Sequence, residues 1–478
     1  MIELQHIQRI YFIGIGGIGM SAVARYFATR GVVVSGYDRT RTTLSKQLEE
    51  EGMHIHYTDD IALLDKAADL VVYTPAVPKN HSGLNWYRNN GYEVVKRSDV
   101  LQIITKDTFN ICIAGTHGKT SISTLTGHLL RETGYGCNVF LGGISVNYGT
   151  NFWGSNNNVC VVEADEYDRS FLKLDPDIAV VTAMDADHLD IYGTVKAMEE
   201  AFVEFAGKTK SSGLLIRKHG LTKLNESGVR RQLTYQLHAN VTHQIYDDVS
   251  HQHDVDHPDI YAFNIRTVNG GYLFDASISS SIINDIALNI GGTHNIENAL
   301  VAIAIAKALK IDTEKIKSSI ASFKGVKRRF EYIIRKADNT KLVFIDDYAH
   351  HPEELRALIG SALHLFPGLK TTVVFQPHLY TRTRDLAIGF AEVLDLADDV
   401  VLLPIYPARE LPIDGVTSEI ISTRMKKASV KVLSKEEVFS KIQNDHIELL
   451  ITAGAGDIDT MLPQLKEILT GATLITGE

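Results

Sequence analysis

The sequence is poor in the features that would place it outside the ordinary globular proteins. It has only three cysteines in 478 residues, at 112, 137 and 160. They form no CxxC pair, which excludes a disulfide framework or a zinc knuckle, and free, apolar-flanked thiols fit a reducing compartment. No run of about 18 apolar residues exists, so no membrane-spanning helix is expected. The first residues carry an acid early, and their apolar run dissolves into glycines, so they read as a first β-strand and not as a signal peptide. There is no basic surplus either. Lys and Arg number 48 against 58 Asp and Glu, a net charge of −10, which argues against binding nucleic acid through its phosphates. Neither an internal repeat nor a low-complexity tract is visible.

What remains is a composition of 44% hydrophobic and 22% charged residues over a length that suggests about three domains. Short apolar runs alternate with helical spacing. IYFIGI (10–15), VVVSGYD (32–38) and LVVYTPAV (70–77) predict the strands of a first parallel α/β unit. A second unit opens with FNICIAG (109–115), followed by strands ending in acids at 159–166 and 178–187. From about 212 to 290 the texture becomes polar, with short alternating runs, and predicts an antiparallel β excursion. A helix is expected over 296–310. After a linker near Phe323–Lys327, strands at 342–346, 371–375, 400–405 and 447–456 predict a third α/β unit. The expected division is 1–104, 105–323 and 324–478.

Two glycine loops stand out. Gly14-Ile-Gly16-Gly17-Ile18-Gly19 matches G-x-G-x-x-G between a strand and a helix, and Asp38 ends the next strand. Glycines there let a backbone approach a diphosphate at a helix N-terminus, and the acid can accept ribose hydroxyls. A tight turn packing helix on strand would produce the same pattern, and the pattern does not specify a dinucleotide. Gly115-Thr116-His117-Gly118-Lys119-Thr120, with Ser121, also follows a buried strand and opens a helix. Its amides would cradle the phosphates of ATP, Lys119 would reach the β/γ-phosphates, and Thr120 would place a hydroxyl on Mg2+. A full Walker A loop has glycine at position 113, where this chain has isoleucine, so the loop is a shortened variant.

Acids follow the neighbouring strands, as Glu163-Ala-Asp-Glu-Tyr-Asp168 and Asp185-Ala-Asp-His188-Leu-Asp190. Ligands bind outside the carboxyl ends of parallel strands, so Glu163 and His188 are expected at the Mg-phosphate site. Asp165, Asp168 and Asp190 read as solvated or capping acids. Asn295 and Asn298 open the helix after residue 292 and could cap it or read a nucleobase edge. Lys327-Arg-Arg329 could clamp a phosphate or be solvated. The histidines at 238, 243, 251, 253 and 257 lack ligand spacing and read as solvated loop.

Taken in order, GIGGIGMS, GTHGKTS, EADEYDRSFL, DADHLDIY, GTHNIENAL, RRFE, DDYAHHPEE and FQPHLYTRTR resemble the Mur ligases over the whole chain. The resemblance implies three domains: a Rossmann-like UDP-binding domain, a central P-loop ATPase-like domain and a C-terminal Rossmann-like domain. It implies a cytoplasmic ligase of cell-wall synthesis that joins L-alanine to UDP-N-acetylmuramate at the expense of ATP, with Mg2+, as a monomer or weak homodimer. Residues 115–121 would hold the ATP phosphates, and Thr120, Glu163 and His188 would serve magnesium. Asn295 and Asn298 would contact adenine or its surroundings, and Arg329 and Asp347 would reach ATP from the linker and the third domain. The first glycine loop with Asp38, Thr74, Pro75 and Ala76 would hold the UDP moiety in place of NAD. His378 and Arg382 would place alanine. Position 379 is leucine where many members have arginine. Residues 201–205 read Ala-Phe-Val-Glu-Phe, so the carbamylated lysine found in several members is not expected here. Two other classes use only part of this set. A nicotinamide oxidoreductase leaves the second loop idle, and a nucleotide switch would show no turnover stimulated by two small co-substrates.

Overall fold

The computed structural model describes residues 4–186, 189–237, 257–279, 281–335, 342–408, 410–426 and 430–471. His188 and the histidines at 238, 243, 251 and 253 lie outside them, and His257 is exposed.

The apolar runs became strands at the places expected, and three sheets result. The first contains β1 (Arg9–Ile13), β2 (Val33–Tyr37), β3 (His54–His56), β4 (Leu70–Tyr73) and β5 (Val94–Lys96), ordered β3-β2-β1-β4-β5 and all parallel. The order reverses between β1 and β4. Their carboxyl ends therefore border a crevice, because the connections leave in opposite directions there. The first glycine loop and Thr74–Val77 are those two ends.

The central sheet contains β6 (Phe109–Ala114), β7 (Asn138–Phe140), β8 (Phe152–Trp153), β9 (Val159–Glu163), β10 (Ile178–Val181), β11 (Leu214–Lys218), β12 (Gln232–Leu237), β13 (Ile260–Val268), β14 (Gly271–Ile278) and β15 (Ser281–Leu288). Its order is β15-β14-β13-β12-β11-β10-β6-β9-β7-β8. The antiparallel excursion starts later than the change in texture at 212 suggested. β11, β12 and β13 continue the parallel ladder. β13, β14 and β15 follow one another at one end of the sheet through connections too short for a parallel crossover and form the antiparallel excursion, while β8 pairs antiparallel with β7 at the other end. β6 lies between β10 and β9, so the second glycine loop is flanked by the ends of both acid-bearing strands.

The third sheet contains β16 (Glu331–Arg335), β17 (Val343–Asp347), β18 (Thr371–Phe375), β19 (Asp399–Leu402), β20 (Val430–Val432) and β21 (Leu449–Ala453), ordered β16-β17-β21-β18-β19-β20, with only β16 antiparallel.

The described chain gathers into two compact units. One comprises residues up to 264 with 275–286 and 297–321, and the other comprises 265–274, 287–296 and 322 onward. Within the first unit, apolar residues of the first and central sheets form a single cluster, in which Tyr26 packs its ring against Phe140 (5.6 Å) and Phe152 (6.0 Å). In the second unit the core forms around Phe344, Val374, Val401 and Leu450. All three cysteines are buried in the first unit. Burial raises their thiols well above the ordinary range, since a thiolate there would lose its hydration. Among the described residues no helix is long and apolar enough to cross a membrane.

Candidate active site

The second glycine loop begins where β6 can no longer carry a side chain. Gly115 has φ +123°, and a Cβ there would stand 2.1 Å from Thr182 Oγ1 and 2.8 Å from the Ala183 amide nitrogen. Only glycine fits between β6 and the end of β10. Ile113, at the position of the missing Walker glycine, is fully buried in β6, which is why the loop is short. Thr116 N–H donates to the Ala183 carbonyl (3.1 Å), and Thr182 Oγ1 donates to the His117 carbonyl, so the loop is fastened to β10. Exposed His117 lies 3.3 Å from exposed Asp185. Gly118, at φ +81°, then turns the chain into the helix Lys119–Glu132. The first amides of a helix lack intrahelical acceptors and suit an anion.

The side chains around this loop are oxygen-rich. Thr120 Oγ1 donates to Glu163 Oε1 at 2.9 Å, and Glu163 Oε2 accepts the Gly142 N–H at 2.8 Å. Gly142 makes room for the carboxylate, because a Cβ there would be 2.6 Å from both oxygens. Lys119 Nζ donates to the Gly115 carbonyl (2.6 Å) and to Glu166 Oε1 (2.8 Å). The motif did not single out Glu166, yet it is 1% exposed. Burial pushes its carboxyl upward, and Lys119 only partly offsets this. The buried amide of Asn298 lies against Gly118, with Oδ1 3.0 Å from where its Cβ would be. Asn295 is buried, and its amide donates to the Gly291 carbonyl at 2.6 Å. Asp165, partly exposed, accepts the Tyr167 N–H (3.1 Å).

The first loop is built differently. Gly14 and Ile15 donate their N–H groups to the Tyr37 carbonyl at 2.8 and 3.1 Å. Asp38 Oδ2 accepts the Gly16 N–H at 2.8 Å and so pins the loop. Thr74 crowds Gly14, with Cγ2 2.9 Å from a Cβ there. Arg97, not picked out from the sequence, lies over Gly19 and 3.6 Å from Asp165. Asn151 donates to the Ile18 carbonyl (2.5 Å) and Ser21 Oγ (2.9 Å) and accepts from buried Arg25, which ties the helix Ile18–Ala28 to the central sheet's loops. A cavity of about 280 Å³ runs from Gly17, Ile18 and Thr74, past Arg97, to Gly142 and Glu163. The first loop therefore opens onto a space that reaches Glu163, the carboxylate that accepts from Thr120 of the second loop.

In the second unit, Asp347 accepts the N–H groups of Phe330 and Ala349, both at 2.7 Å, and burial pushes its carboxyl up to about 6. Arg328, at φ +60°, turns inward to Asp346 (3.3 Å), whereas Arg329 is exposed. At the carboxyl edge of this sheet, the His378 ring stacks on Tyr406, 5.9 Å apart and 11° from parallel. His378 Nδ1 and one terminal nitrogen of Arg382 are buried and make no hydrogen bond among the described residues. Burial, with His350 and Arg382 nearby, holds the His378 imidazole below its ordinary pKa. Leu379 has φ +69°, an unfavourable conformation for a branched residue, held by its N–H to the Tyr406 carbonyl (2.9 Å).

Family models match along the chain in this order: Mur ligase family, catalytic domain, at 9–108; Mur ligase middle domain at 113–306; and Mur ligase, glutamate ligase domain, at 328–458. The chain is 44% identical to a UDP-N-acetylmuramate–L-alanine ligase of Flavobacterium johnsoniae, over 98% of this chain and 99% of that one. It is 45% identical to the enzyme of the same name from Phocaeicola vulgatus, over 98% and 99%. Among solved structures, UDP-N-acetylmuramate-alanine ligase from Thermotoga maritima superposes with a TM-score of 0.80 at 25% identity, covering 98% of this chain and all of that one. A murein peptide ligase from Psychrobacter arcticus shares the fold, with a TM-score of 0.63 at 21% identity over 98% of this chain and all of that one. With its two glycine loops, the acids at the neighbouring strand ends and full-length matches to these relatives, the chain belongs to the Mur ligase family.

Proposed function

We infer that the protein joins L-alanine to the lactyl carboxylate of UDP-N-acetylmuramate, with conversion of ATP to ADP and phosphate, in the cytoplasm. The observation that carries this reading is the cavity beside Glu163: a loop suited to a sugar-linked diphosphate opens onto a space that ends at Glu163, and Glu163 in turn accepts a hydrogen bond from Thr120 of the phosphate loop. Full-length relatives that carry this activity in their names support the same substrates. The functional division is 1–104 for the UDP-sugar, 105–323 for ATP and 324–478 for the amino acid.

In this scheme the Gly14–Gly19 loop, with Asp38 and Thr74–Ala76, holds the UDP end and points the muramate carboxylate toward Glu163. The amides of 115–121 cradle the ATP phosphates, with Asn298 and Asn295 near the base, and Lys119 stabilises charge on the γ-phosphoryl group as it moves. A hydroxyl and a carboxylate 2.9 Å apart are hard oxygen donors of the kind that suit magnesium. Thr120 and Glu163 would hold that ion, joined by His188, and it would neutralise phosphate charge. The carboxylate oxygen attacks the γ-phosphorus, ADP leaves, and an acyl phosphate forms. The neutral amine of alanine then attacks the acyl carbon, and phosphate departs. His378 and Arg382 offer buried, unsatisfied polar atoms to orient the amino acid, while Arg329 and Asp347 assist at the nucleotide. Amide formation needs the amine within roughly 3–3.5 Å of that carbon, so positioning carries much of the rate.

The deciding experiment supplies ATP and UDP-N-acetylmuramate without alanine and adds hydroxylamine as a stand-in nucleophile. A muramate hydroxamate with ADP is expected. AMP with pyrophosphate would exclude the acyl-phosphate route, and equal turnover with UDP-N-acetylglucosamine, which lacks the carboxylate, would exclude the substrate.

A further inference from the structure

A lysine ammonium has three N–H donors set in a tripod. In Lys119 two of them are committed to acceptors within the protein, the Gly115 carbonyl at 2.6 Å and Glu166 Oε1 at 2.8 Å. Both partners of the ion pair are largely withdrawn from water, Lys119 at 14% and Glu166 at 1% side-chain exposure. A buried carboxylate is an unexpected neighbour for a loop that receives polyphosphate, since the two anions repel unless a cation stands between them. Glu166 is also expensive to keep. Its second oxygen is buried and makes no hydrogen bond among the described residues. The loop that carries it turns through two consecutive non-glycine residues in the left-handed region, Asp168 (φ 54°) and Arg169 (φ 59°). Tyr192 clamps this turn from below. Its hydroxyl donates to the Glu166 carbonyl at 2.6 Å, and Arg169 lies over its ring at 5.1 Å. Backbone strain of this kind persists where the surrounding structure over-determines it.

We propose that Glu166 is a positioning residue which, with the Gly115 carbonyl, fixes two donors of Lys119 and aims the third at the oxygen of the transferring phosphoryl group. The proposal rests on the reading of Lys119 as the phosphate clamp. It gives Glu166 two separable effects. Its charge offsets that of Lys119 and weakens nucleotide binding, whereas its geometry orients the ammonium and speeds transfer. A residue that merely stabilises the loop would not separate the two.

Two variants of the full chain test this, with kcat measured in the complete reaction and ADP affinity measured by calorimetry without turnover. Glu166→Asp keeps the charge and withdraws the acceptor by one methylene, so kcat should fall about tenfold or more at unchanged ADP affinity. Glu166→Gln keeps the shape and removes the charge, so ADP should bind several-fold tighter while kcat falls less than in the aspartate variant. A Glu166→Asp enzyme with kcat within twofold of wild type would overturn the proposal, as would a Glu166→Gln enzyme with no gain in ADP affinity. Parallel losses of rate and affinity that track a lost folded fraction in thermal melts would also overturn it. If neither variant folds, Tyr192→Phe takes their place. It should lower kcat a few-fold with ADP affinity unchanged, and an unchanged kcat counts against the proposal. Lys119→Ala separates the levels: activity retained there removes the clamp itself, whereas activity lost there but kept in Glu166→Asp removes only the role of Glu166.

Discussion

The two glycine loops of the first unit use one backbone device with opposite electrostatics. Each leaves a buried parallel strand and opens a helix. The first, Gly14–Gly19, contains no charged side chain and is pinned from outside by Asp38, with Gly17 in extended conformation (φ −65°) as the helix cap. The second contains Lys119, caps its helix with left-handed Gly118, and is surrounded by Glu163 and Glu166. The difference follows from what each phosphate does in the proposed reaction. A diphosphate that is only held needs shape and neutral N–H donors. A phosphoryl group that moves develops charge in the transition state, and fixed ions are most effective there.

The contrast can be broken most strongly at Lys119. Lys119→Ala should cost ~3–4 kcal/mol of transition-state stabilisation, a factor of hundreds or more in ADP release, with an unchanged circular dichroism spectrum. No neutral first-loop residue should match that loss. Gly115→Ala should act on folding: its Cβ has no room against Thr182 and Ala183, and the positive φ adds strain, so a loss of about 3 kcal/mol or more is expected in denaturant titration. Glu163→Gln removes the charge that holds a hard cation. Turnover should drop by about 2 kcal/mol, roughly thirtyfold, and the magnesium concentration for half-maximal rate should rise. At the first loop, Asp38→Asn weakens one charge-assisted hydrogen bond, so the KM for UDP-N-acetylmuramate should rise by about tenfold or less with kcat nearly unchanged. Gly19→Ala should be the mildest. The atoms its Cβ meets belong to the flexible end of Arg97, which can swing aside, so a stability change under about 1 kcal/mol is expected by thermal melting. A Gly19→Ala effect as large as that of Gly115→Ala would show that both loops are equally rigid.

What the sequence disclosed and what it concealed divide along the same line. Glycine spacing, strand ends and helix starts are local, and the parallel part of each of the three sheets could be anticipated from short apolar runs. So could Lys119, Thr120 and Glu163, since the loop and the end of β9 are adjacent in any sheet that places β6 beside β9. Glu166 was hidden because the third of the four acids in EADEYD differs from its neighbours only through the left-handed turn at Asp168 and Arg169, which has no glycine to announce it. Arg97 was hidden because its contact with Gly19 spans 78 positions in the chain. Asp38 was found, but its observed contact is with the loop's own backbone, a role that spacing cannot tell apart from ribose binding. The late start of the antiparallel strands was obscured because polar alternation also suits parallel strands that are only half covered, as in β12.

The burial of Cys112, Cys137 and Cys160 makes the folded chain chemically silent to thiol reagents. An alkylating dye can then reach them only when the surrounding core opens, so its rate of incorporation is a clock for local unfolding of the first unit, read without any substitution. The same silence gives a blank background: one cysteine placed at an exposed position becomes the only site that a fluorophore or spin label takes up while the native core stays shut.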